Sequence, residues 1–244
     1  MQASLQQQVL ADVLVPRFGA QTRANSFIRD AVLVIGFTLF MTVCAQIAIK
    51  IPTTTVPITG QTFGALLAGG ALGSKRGASS MLLYMLIGML GLSVFTPSSS
   101  PLGDGQVFHF ILPWSGSSGL LWDISSGGYI VGFIFAAYLV GLLAERGWVL
   151  RSSVPLSMLI GNLAIYAIGL PWLGILFIAS GTTIPGTELT YYDAIGGSNV
   201  LDKTLKGGLY PFIGGDAIKL IAASLLLPGA WALVSKVKGK PPEE

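Results

Sequence analysis

Five stretches of this 244-residue chain contain no Asp, Glu, Lys or Arg: 31–49, 51–74, 77–103, 124–144 and 152–187. Several reach the ~20 apolar residues that a helix needs to cross the hydrocarbon core of a bilayer. Only 10% of the residues are charged, whereas an ordinary soluble domain has roughly 25%. Twenty-five charges and one His cannot cover the surface of a soluble domain of this size. The chain is therefore read as an all-α, polytopic membrane protein.

The same composition excludes several kinds of chemistry. One cysteine, Cys44, rules out an internal disulfide and any multi-cysteine metal site. One histidine, His109, rules out metal sites that need two. It falls in an outer loop with Trp114 and Trp122, and no partner pattern accompanies it. The chain has no G-x-x-x-x-G-K-[ST] and so no phosphate-cradling loop with which to hydrolyse ATP. The net charge of +3 comes from membrane-flanking basic residues and does not indicate nucleic acid.

Residues 1–30, with Gln6, Gln7, Gln8, Arg17, Arg23 and Arg29, read as an amphipathic lead-in without a signal-peptide pattern. Six membrane helices are expected within a domain spanning 31–235, at about 31–49, 61–74, 77–95, 127–145, 154–180 and 211–235, followed by a tail at 236–244. The second is short for a full span. A Thr/Pro-rich stretch, Pro52 to Pro57, separates the first two and cannot be regular helix. The Ser/Gly/Pro-rich segment 96–126 reads as a long loop and 181–206 as a polar one, and Pro171 is expected to kink the fifth helix.

With six helices, both termini share a side. Arg17, Arg23, Arg29, Lys75, Arg76, Arg146, Arg151, Lys236, Lys238 and Lys240 fall on that side, and Lys50, Lys203 and Lys206 fall on the other. The positive-inside rule then puts both termini in the cytoplasm. Asp104, Asp123, Glu188, Asp193 and Asp202 lie outside. Small residues recur at i, i+4 as Ala65, Gly69, Gly73, Gly77 and again as Gly128, Gly132, Ala136. Such stripes let helices approach closely, either inside the bundle or against another membrane subunit.

One basic residue is left over. Lys219 lies in the sixth helix beside Asp216, and these are the only charges between Lys206 and Lys236. At i, i+3 they share a face. Each costs ~2.5–3.5 kcal/mol at a membrane helix centre, so such residues usually line a polar cavity. Pro211 and Gly214 delay the start of the helix and place Asp216 in its outer third. Asn162 offers a donor and an acceptor within the fifth helix, to a ligand or to a neighbouring helix. Tyr129 opens the fourth helix at the outer interface, where tyrosines also gather as belt residues. Thr59, Gln61 and Thr62 follow the Pro-rich stretch. Convergent polar groups in an apolar cavity describe an outward-facing site for a small, partly polar solute.

Several segments resemble one family. They are Val56-Pro57-Ile58-Thr59-Gly60-Gln61-Thr62, Gly73-Ser74-Lys75-Arg76-Gly77, Gly127-Gly128-Tyr129-Ile130-Val131-Gly132-Phe133, Gly161-Asn162 with Ile165-Tyr166, Gly169, Trp172 and Leu173, and Gly215-Asp216-Ala217-Ile218-Lys219. Together and in this order they resemble the BioY family, the biotin-specific S-components of energy-coupling factor (ECF) transporters. The resemblance covers about 35–235. Ser125-Ser126 stand where the family usually has P-T before G-G-Y, and segment 96–126 is longer and richer in Ser than the family's loop. Cys44 and Ala48 substitute for the family's Ala-x-x-x-Ala on the first helix.

The resemblance implies a six-helix subunit of a prokaryotic cytoplasmic membrane that captures biotin from outside, with the loop after the first helix as a lid. Its partners would be a transmembrane coupling subunit and two ABC-type ATPases, so the chain itself would be no enzyme and would need no cofactor or metal. The family's functional Asp and Lys carry onto Asp216 and Lys219. An ionised Asp216 can accept from the ureido N–H groups of biotin. Asn162 could meet the ureido oxygen, and Lys219 stands near Asp216. Tyr129 and Trp172 would enclose the apolar ring, and the carboxylate's partner stays open. Two other readings compete: an S-component for thiamine or riboflavin, and a proton-coupled secondary carrier with Asp216 as the titrating group.

Overall fold

The computed structural model describes residues 9–14, 23–51, 54–97, 108–148, 153–179, 183 and 188–237. Arg17, Arg151, Lys238, Lys240, Pro52 and Asp104, which entered the sequence reading, lie outside the described residues. The protein is an all-α polytopic membrane protein. Its elements are α1 (Leu10–Leu14), α2 (Arg23–Gln46), β1 (Ala48–Ile49), β2 (Ile58–Thr59), α3 (Gln61–Leu72), α4 (Ser74–Met89), β3 (Phe108–His109), α5 (Gly127–Glu145), α6 (Val154–Ile178), α7 (Val200–Gly208) and α8 (Ile213–Val237).

Four of these, α2, α5, α6 and α8, are long and apolar enough to cross a bilayer by themselves. This corrects the expectation of six transmembrane helices: among the described residues only these four meet that length and apolarity. With 12 and 16 residues, α3 and α4 extend only ~18 and ~24 Å at 1.5 Å per residue. They meet at Gly73 with no loop between them. Its φ of +85° gives the sharp reversal, and Glu145 accepts from both the Ser74 N–H (2.7 Å) and Oγ (2.8 Å) at the start of α4. The first helix begins earlier than expected, at Arg23, and stops at Gln46 because Ala48 and Ile49 leave it for a strand.

The bundle is organised around α5. Within its most apolar stretch 61% is buried, against 22%, 33% and 17% for α2, α6 and α8. Both small-residue stripes are consumed by internal packing. Added β-carbons would sit 2.5 Å from the Ala137 carbonyl at Gly69, 2.9 Å from Ile165 Cα at Gly132 and 2.2 Å from Trp172 Cβ at Gly128. Helices that pack this closely gain dispersion contacts that lipid tails cannot match. Pro171 is accommodated inside α6, which continues to Ile178.

At the end holding Gly73 and Glu145, Val9, Leu10 and Ala11 bury their side chains in the core. Asp12 pairs there with Arg29 (3.2 Å) and Arg76 (2.8 Å), and Arg76 also reaches Asp30 (3.2 Å). At the opposite end, β2, β1 and β3 form a small antiparallel sheet in that order, with Ala48 opposite both Thr59 and His109. His109 is buried within the sheet, its Nε2 3.2 Å from Ser115 Oγ. Polar stretch 181–206, expected as loop, contributes most of α7.

Candidate functional site

At the sheet end, loop and helix termini converge on a cavity of about 30 Å³. Its lining includes Thr59, Gln61, Thr62, Tyr129, Asp216 and Lys219, which brings together six of the eight residues singled out in the sequence. Val56, Pro57, Thr96, Ser126, Phe133, Ile165, Tyr166 and Phe212 complete it.

Asp216 lies in the first turn of α8, where the unpaired N–H groups of a helix favour negative charge. It is 5% exposed. Lys219 donates to its Oδ1 at 2.9 Å, one turn further along the same face. Tyr166 on α6 donates to Oδ2 at 2.5 Å. Both carboxylate oxygens are therefore engaged, and lone pairs remain on each. The Tyr166 ring stands edge-on to Tyr129, with centroids 6.2 Å apart and planes at 87°. Tyr129 is held in turn by its hydroxyl, which donates to the Gly208 carbonyl at 2.8 Å.

Gln61 lines the cavity with its amide already engaged. Its Oε1 accepts from Thr59 (2.9 Å) and Thr96 (2.8 Å), and its Nε2 donates to Tyr84 Oη at 2.8 Å. It ties the start of α3 to α4 and to the loop behind Phe95. Val56 and Pro57, ahead of β2, line the cavity, and the residues before them are tied down beside it. Thr54 Oγ1 donates to the Gly207 carbonyl at the end of α7, and Ser125 Oγ donates to the Thr55 carbonyl at 2.8 Å. Thr54, Thr55 and Val56 are all buried.

Two expected site residues stand elsewhere. Trp172 lies against Gly127 and Gly128 and braces the start of α5 on α6. Asn162 is one helical turn from Tyr166, on the side away from the sheet end, and its buried Oδ1 has no partner among the described residues. Tyr166 joins the site from the Gly161–Leu173 segment, where the sequence singles out Asn162 and Trp172. Its spacing from Asn162, i to i+4 in an otherwise apolar helix, was the signal that marks a polar face on α6. No group of three or more metal-ligating side chains occurs among the described residues.

An apolar helical bundle with a polar cavity at one end, built on a buried ion pair, defines a polytopic membrane protein with a binding site for a small, partly polar solute. Residues 15–236 match the BioY family profile, and the chain belongs to that family. It is 31% identical over 179 residues to the biotin transporter BioY of Rhizobium etli, covering 70% of this chain and 75% of the relative. Identity is 32% over 194 residues with the biotin transporter BioY of Thermotoga maritima, covering 78% and 88%. With the probable biotin transporter BioY of Pyrococcus horikoshii it is 37% over 145 residues, covering 59% and 74%. The fold matches the 2.1 Å crystal structure of the S-component for biotin from an ECF-type ABC transporter. That match has a TM-score of 0.60 at 22% identity and covers 91% of this chain and 97% of that one.

Proposed function

We propose that this protein is the biotin-binding S-component of an ECF-type vitamin transporter, a multi-pass protein of a prokaryotic cytoplasmic membrane. It takes biotin from the outer side and catalyses no covalent chemistry. A transmembrane coupling subunit and two ABC-type ATPases supply the energy for transport. The observation that carries the reading is the buried Asp216–Lys219 pair in the cavity beneath the Thr54–Val56 segment. A cyclic urea presents an N–H and a C=O side by side on one edge. Asp216 accepts from the N–H, and the ammonium of Lys219, which spends one of its three donors on Asp216, meets the carbonyl. Tyr129 and Phe212 flank the apolar ring. Gln61 and Thr59 shape the cavity mouth, and Thr62 lines it.

The arrangement of helices supports six crossings. α2, α3, α4, α5, α6 and α8 alternate between the sheet end and the Gly73–Glu145 end, and α3 and α4 complete the bundle despite their length. Both termini then lie at the Gly73–Glu145 end, the cytoplasmic end by charge. The closing test is biotin titration of the purified protein without partners. Submicromolar binding is expected, and Asp216→Asn or Lys219→Ala should weaken it at least about 10-fold, the scale of a lost hydrogen bond to a charged group, about 1.5–3 kcal/mol. Undiminished binding by both variants overturns the site. Accumulation in vesicles driven by a proton gradient without ATPases overturns the transport mode.

A further inference from the structure

Resting on the biotin reading, we propose that Tyr166 is the positioning residue that makes Asp216 selective for a ureido N–H. Tyr166 stands on α6 and Asp216 on α8, so their 2.5 Å hydrogen bond joins two helices across the cavity. A carboxylate beside an ammonium can turn both oxygens onto it, which occupies the near lone pair of each and leaves its plane free to rotate away from a ligand. Here Lys219 holds only Oδ1, because Tyr166 holds Oδ2 from the other side. The two donors together fix the carboxylate plane. Oδ1 and the Lys219 ammonium then present an adjacent acceptor and donor to the N–H and C=O of one ureido edge.

The tyrosine is itself held in place. Its ring meets the edge of Tyr129, whose hydroxyl is anchored on the Gly208 carbonyl. Gly169, one turn along α6, leaves the room that the Tyr129 ring fills, since a β-carbon there would lie 2.6 Å from Tyr129 Cδ1. Removing the Tyr166 hydroxyl leaves the ring packing intact and frees only the carboxylate.

Tyr166→Phe in the full-length protein tests this with three ligands: biotin, biotin methylated on a ureido nitrogen, and desthiobiotin, which keeps the ureido group and lacks the sulfur ring. Expected are an about tenfold loss of biotin affinity and an about tenfold smaller penalty for N-methylation than in the parent protein. The scale follows from a hydrogen bond to a charged group, about 10- to 100-fold in affinity. The biotin-to-desthiobiotin ratio should stay unchanged. Ratios measured on one preparation do not depend on the folded fraction, so a loss of yield does not blur the result. Parent-like affinity of Tyr166→Phe, or an equal loss for all three ligands, overturns the role of Tyr166 and leaves the biotin reading standing. Failure of the parent protein to bind biotin overturns both.

Discussion

A β-carbon at Gly69 would sit 2.5 Å from the Ala137 carbonyl oxygen, which is backbone and cannot retreat without moving α5. Gly69→Ala should therefore cost about 1–3 kcal/mol, the usual range for overpacking. At Gly36 an added β-carbon meets nothing within 4 Å. Gly36→Ala is the matched control, and thermal unfolding in detergent should show a lowered midpoint for Gly69→Ala alone. The spacing of Gly69 from its neighbours was legible in the sequence as a close-approach stripe. What it approaches was not, because one helix face carries no record of its partner. Asp216 and Lys219 were legible for the opposite reason: charge in an apolar helix is costly enough to mark a site wherever it packs. Tyr166 and Asn162 share one face of α6 and differ only in what α8 brings near them. Sequence favoured the amide, and the packing of α6 on α8 gave the hydrogen bond to the tyrosine.

The apolar helices could be located from their charge-free runs, and α5 emerges with its expected bounds. α7 could not, since its nine residues are few and on average barely apolar, within a Gly-, Ser- and Thr-rich stretch. Its start did leave a signal. Asn199 accepts from the Asp202 N–H at 2.9 Å, the side-chain cap that Asn provides two or three residues ahead. Asp202 in turn accepts from Lys206 at 2.8 Å and from the Ser198 N–H at 3.0 Å, which hold its carboxyl below the usual carboxylate range. The C-terminal end of α7 supplies the Gly207 and Gly208 carbonyls that fasten Thr54 and Tyr129 over the cavity. Asn199→Ala should cost about 1 kcal/mol of local helix stability. The readout is faster amide exchange across 200–208 and faster release of biotin, with exchange in α5 unchanged. Unaltered release from a loosened α7 would separate this helix from the covering of the site.

Across the whole molecule, one end is closed by an inserted helix and ion pairs, and the other by hydrogen bonds between loops and helix ends. At the Gly73–Glu145 end, α1 packs into the core through Val9, Leu10 and Ala11, and Asp12 gathers Arg29 and Arg76. Residues 9–14 precede the segment matched to the family, residues 15–236. Charge counting pointed to a cytoplasmic amphipathic segment there; its insertion into the bundle was not legible, because Leu10–Leu14 is too short to show a face. At the sheet end, the cavity measures about 30 Å³, room for about one or two water molecules. Pockets that hold drug-sized solutes measure roughly 300–1,000 Å³. We expect entry to require withdrawal of the Thr54–Val56 segment, so that association is a gated reaction in which opening precedes encounter. Stopped-flow traces should show the observed rate levelling off as biotin is raised, at a ceiling set by the protein alone. Thr54→Val, which removes the donor to Gly207, should lift that ceiling. Scarce vitamin would then be met at diffusional speed only by the open fraction, so a site built to retain its cargo also limits how quickly it can be loaded.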